Sequence, residues 1–93
     1  MKLLIAILLV APMQALAHED KIEMAAQSTT AALEKFKAEE TTPAQSFSGV
    51  KTWLAGEDAK VRVYYNENRN SLVYTCAMHH GSNREVHLMC SKD

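Results

Sequence analysis

Residues 71–90 read S-L-V-Y-T-C-A-M-H-H-G-S-N-R-E-V-H-L-M-C, two alternating stretches on either side of Gly81-Ser82-Asn83. Successive side chains of a strand point to opposite faces, so a period of two marks a half-buried strand. Leu72, Tyr74, Cys76 and Met78 then share one face of a strand over residues 71–79. Val86, Leu88 and Cys90 share one face of a second strand over residues 84–90. A turn centred near Ser82-Asn83 brings positions 76 and 90 opposite each other. Opposed antiparallel residues have Cα atoms about 4.5–5.5 Å apart, within the span of a disulfide. A Cys76–Cys90 bridge would close a loop of fifteen residues, for which chain entropy gives about 3 kcal/mol.

The same alternation runs upstream. Val61, Val63 and Tyr65 fall on one face and Arg62 and Tyr64 on the other. Asn66-Glu67-Asn68-Arg69-Asn70 is a polar turn, rich in the asparagines that tolerate left-handed backbone. Gly56-Glu57-Asp58 is a second turn. Residues 44–59 are ambiguous. Phe47, Val50, Trp53 and Leu54 fit one face of a two-turn helix, whereas Thr52 and Trp53 favour strand. The extended reading is preferred, and the choice sets whether the sheet has three strands or four. Residues 19–40 are helical in pattern, with Ile22, Ala26, Thr29, Leu33 and Phe36 on one stripe. Glu19, Asp20 and Glu23 suit the positive end of its dipole, and Thr41-Thr42-Pro43 ends it. The expected fold is α+β: an N-terminal amphipathic helix packed on a three- or four-stranded antiparallel β-meander.

Lys2, the apolar run over residues 3–11 and Ala15-Leu16-Ala17 follow the layout of a cleaved secretory signal peptide over residues 1–17. The run is shorter than the ~20 residues that span a bilayer. Residues 18–93 would then be a single small domain in the periplasm or outside the cell, an oxidising setting in which paired cysteines close. The residue directly after the expected cleavage point is His18 rather than cysteine, so no lipid anchor is expected. Without Lys2 the chain keeps nine Lys or Arg against eleven Asp or Glu, a formal charge of −2. That balance argues against nucleic acid and against anionic lipid as partners. A domain this size buries about 60% of its unfolded surface, and its core supplies roughly 3–5 kcal/mol. A covalent staple therefore matters.

Soft and borderline metal ligands concentrate in the last hairpin: Cys76, Met78, His79, His80, His87, Met89 and Cys90. Tyr74, Thr75, Cys76, Met78 and His79 match the opening of a heavy-metal-binding module, Y-T-C-P-M-H-P. Over residues 74–90 the chain resembles that module of copper efflux proteins. Ala77 and His80 replace its two prolines, and its later C-x-x-C-G-M is absent after Cys90. The resemblance implies Cys76 and Cys90 as metal ligands, with His79 beside them. The structural disulfide is the competing reading, because exported thiols that face each other are oxidised.

The histidines leave a thiol-free metal reading. His79 and His87 fall on the face opposite the cysteines, on adjacent strands, with His80 at the turn. That set would suit copper or zinc. His18, first after the expected cleavage, could chelate copper through its amine and ring. Catalysis lacks its parts, with no G-x-S-x-G elbow, no H-E-x-x-H helix and no glycine-rich phosphate loop. An enzyme is not expected, nor any cofactor beyond the copper or zinc reading. Arg62 and Tyr64 fall on the sheet face away from the core with Val73 and Thr75, a composition suited to a protein or peptide partner. Alternatively, Tyr64 only stabilises the sheet as a cross-strand pair. The expected function is a small secreted or periplasmic non-catalytic binding protein with an unknown protein, peptide or small-ligand partner. The alternative is a periplasmic copper or zinc binding protein built on His79, His80 and His87.

Overall fold

The computed structural model describes residues 20–80 and 86–93. The expected leader, His18 and the Gly81-Ser82-Asn83 turn lie outside the described residues. Helix α1 (Lys21–Glu39) and the single turn α2 (Thr41–Ala44) precede β1 (Phe47–Ala55), β2 (Asp58–Tyr65), β3 (Asn70–His80) and β4 (Val86–Lys92). The strands form one antiparallel sheet in the order β1-β2-β3-β4, a meander. The fold is thus α+β with four strands, and residues 47–55 are strand.

Asp20 caps α1, its carboxylate accepting the Glu23 N–H at 3.1 Å. The helix ends at Glu39, and Glu40 N–H donates to Phe36 O at 2.8 Å. Pro43 does not stop the chain from making one more turn, α2, after which Ser46 N–H donates back to Pro43 O. β1 and β2 join through the two-residue loop Gly56-Glu57, with Ala55 opposite Asp58. Gly56 takes φ +67°, the positive φ that such a hairpin turn needs at its first central residue. Asn66, Glu67 and Asn68 all take positive φ in the β2–β3 turn.

The core lies between α1 and one sheet face. Ala32 and Phe36 of the helix meet Ala59, Val61 and Val63 of β2 and Tyr74 and Cys76 of β3, all buried. Phe36 and Tyr65 meet with ring centroids 5.9 Å apart. The expected helix stripe holds at Phe36 and at Leu33, which packs half-buried against the core, and needs correction at its first turns. Ile22 is 82% exposed and Ala26 is exposed, while Ser28, Ala32 and Phe36 form the buried line. Small residues occupy the contact because helix and sheet approach closely there. The Ser28 carbonyl oxygen lies 3.7 and 3.9 Å from the Cys76 and Cys90 sulfurs.

Cys76 and Cys90 are register partners and form a disulfide, with Cα atoms 4.0 Å apart. The bridge ties β3 to β4 beneath the helix. Both thiolates implied by the copper-efflux resemblance are therefore consumed. The last strand runs on to Lys92, whose ammonium donates to Glu40 at 2.6 Å and clamps β4 to the end of α1.

Candidate functional site

Paired residues of an antiparallel sheet share a face, so the register assigns each side chain outside the core. The face away from α1 carries Lys51 and Trp53 from β1, Lys60, Arg62 and Tyr64 from β2, Ser71, Val73, Thr75, Ala77 and His79 from β3, and His87, Met89 and Ser91 from β4. Among the described residues nothing packs over it. Its rows run straight across the strands. Trp53 stands opposite Lys60, which faces Thr75, which faces Ser91, and in the next row Lys51, Arg62 and Val73 align.

Each cation on this face is held in a different way. Lys51 Nζ lies 5.7 Å from the centroid of the Trp53 ring, a cation–π contact. Lys60 Nζ donates to Thr75 Oγ1 at 2.8 Å and to Asp93 Oδ2 at 2.9 Å. Thr75 Oγ1 donates to Asp93 Oδ1 at 2.6 Å. Those two donors hold the Asp93 carboxyl below its ordinary value, Thr75 contributing most and Lys60 next. Arg62 Nη1 donates to a neutral hydroxyl, Ser71 Oγ, at 3.0 Å. Its charge is thus balanced by no carboxylate among the described residues. Tyr64 is half-buried opposite Ser71 on one side and Gly49 on the other, and the glycine has no side chain to cover its ring. A guanidinium beside Tyr64 and one strand from Trp53 can hold a carboxylate and the apolar groups next to it.

The structure places Arg62 and Tyr64 together on this face, two residues apart on β2. It places His79 directly opposite His87, both exposed on the same face. His80 differs from expectation. It is the last residue of β3, in register with Val86, because the strand continues one residue beyond the alternation that was counted. Among the described residues no group of three or more His, Cys, Asp and Glu side chains has metal-holding geometry.

Sequence reasoning missed Trp53 and Lys51 as members of this face. The signal was available: as a strand, residues 51 and 53 take the same side as Arg62. It also missed an apolar groove of about 260 Å³ between α1 and β1, lined by Leu33, Phe36, Lys37, Ala44 and Phe47. Among the described residues no helix is long and apolar enough to cross a membrane. No protein-family model, curated protein or solved structure matches this chain.

Proposed function

We propose that the protein is an exported, non-catalytic binding module that holds an acidic, extended segment of another protein on the open face of its sheet. The observation that carries this reading is Arg62, charged and, among the described residues, paired only with the Ser71 hydroxyl, beside Tyr64 and one strand from Trp53 and Lys51. Arginine and large aromatics are the side chains that dominate binding energy at protein interfaces. Export is supported by the charged-apolar-small order of residues 1–17 and by the Cys76–Cys90 bridge, which persists in oxidising compartments. Affinity purification from the exporting cell identifies the partner. Arg62→Ala or Tyr64→Ala should then weaken the isolated complex roughly tenfold or more, with the circular dichroism spectrum unchanged. Full retention of the complex by both variants would overturn the reading.

A second reading has its own observation. His79 and His87 are register partners on the open face, with Met89 two residues along the same strand face. Two imidazoles and a thioether would suit copper, and the imidazoles alone would suit zinc. Titrating copper(I) or zinc while following the imidazole resonances tests it. Selective shifts at His79 and His87 support a site, and unperturbed resonances at stoichiometric metal end it.

A further inference from the structure

β1 closes one side of the sheet, and its outer edge is equipped to pair again. Asp93 N–H donates to Val73 O at 2.9 Å. In an antiparallel ladder the backbone groups of successive residues point to alternate sides, so this one bond fixes the pattern across the sheet. Val73 turns toward β4 and Tyr74 toward β2; Val61 therefore turns toward β3 and Arg62 toward β1. Lys51 and Trp53 bond back to β2, which leaves the N–H and C=O of Val50, Thr52 and Leu54 directed outward. Natural edges are blunted by proline, repeated charge or short length. This one spans nine residues with no proline; its register shift lies at the Phe47/Gly49 end, outside the stretch from Val50 to Leu54, and Lys51 is its only charged side chain. It exposes Phe47, Val50, Trp53 and Leu54 by 46, 37, 36 and 37%.

The flank of α1 above β1 is apolar too. Thr29 hydrogen-bonds Thr52 through their hydroxyls, which sets that flank over the strand. Ile22, two turns earlier on the same flank, is 82% exposed.

We propose that β1 pairs antiparallel with β1 of a second copy of this chain, joining two four-stranded sheets into one of eight about a two-fold axis at Thr52. The register is self-complementary. With Thr52 opposite its own copy, Val50 stands opposite Leu54 of the second copy and Lys51 opposite Trp53 of the second copy. Apolar meets apolar, and ammonium meets ring. Val50, Thr52 and Leu54 are the residues whose backbone groups point outward, so they supply about six hydrogen bonds across the seam. Neighbouring registers fit worse. An axis at Lys51 opposes two like charges, and an axis at Trp53 carries Val50 past the strand end to face Gly56. The seam uses the sheet edge rather than the open face, so it stands independently of the binding reading above.

The test is sedimentation equilibrium of the full chain, with Cys76–Cys90 oxidised, from about 1 μM to about 1 mM, the range that brackets weak edge association. The expected result is a monomer–dimer equilibrium that Leu54→Lys shifts at least tenfold toward monomer. In parallel, Thr52→Cys should cross-link to a covalent dimer under mild oxidation, while Lys51→Cys should not. That comparison carries the decision if Leu54→Lys fails to fold. A monomer at every concentration, or equal cross-linking at both positions, would overturn the proposal.

Discussion

Tyr74 is fully buried, and its hydroxyl has no hydrogen-bond partner among the described residues. Burial, and then the nearby Glu40 carboxylate, push its pKa up, so the phenol stays neutral. An unpaired buried hydroxyl costs free energy that a phenyl ring avoids. Tyr74→Phe is therefore expected to leave stability unchanged or raise it by up to about 1 kcal/mol, read from the urea midpoint. Glu67 is the other misfit. It holds φ 56° between two asparagines that tolerate such backbone better. Its ion pair with Arg69, 3.5 Å and highly exposed, returns little. Glu67→Gly should raise stability by roughly 0.5–1 kcal/mol. Asp93 gives a pH signature. A carboxyl whose folded pKa is lowered adds stability above its unfolded value and loses it as pH falls through the folded value. Here that window opens near the ordinary 3.8 and extends below it. Asp93→Asn should flatten the acid limb of the stability–pH curve, and an unchanged limb would refute the assignment.

At the scale of elements, α1 depends on its first turn. Asp20→Ala removes the cap on the Glu23 N–H and should cost about 1 kcal/mol, seen as a lower thermal midpoint. The helix also shows where the amino-acid pattern was legible. Its existence followed from periodicity, and the expected stripe holds at Phe36 and at half-buried Leu33, but it fails at Ile22 and Ala26, while Ser28 and Ala32 carry the rest of the buried line. A sheet that comes close enough to touch the Ser28 carbonyl admits only small side chains, and hydrophobicity alone does not report that proximity. β2, β3 and β4 were readable because one face of each packs toward the core, buried in β2 and β3 and half-buried at Leu88 and Cys90 of β4, and the alternation is clean. β1 was preferred as extended only on the β-propensity of Thr52 and Trp53, since as a flank strand it exposes Phe47, Val50, Trp53 and Leu54 from both faces and shows no period of two. The same blurring hid Trp53 from the open face, whereas Arg62 and Tyr64 sit on an alternating strand and could be placed in advance.

For the molecule as a whole, a core of seven buried apolar residues among the described residues is small, and the bridge between β3 and β4 carries much of the weight. Opening the fifteen-residue loop should cost about 3 kcal/mol, against a core expected to give roughly 3–5. The Cys76→Ser, Cys90→Ser double variant should therefore be largely unfolded at moderate urea where the parent is native, as monitored by tyrosine fluorescence. The position of that bridge has a further effect on the life of the protein. Synthesised in a reducing cytosol, the polypeptide would lack its clasp, spend much of its time open, and fall to proteases. Its abundance would then track the redox state of its surroundings more closely than the rate at which it is made.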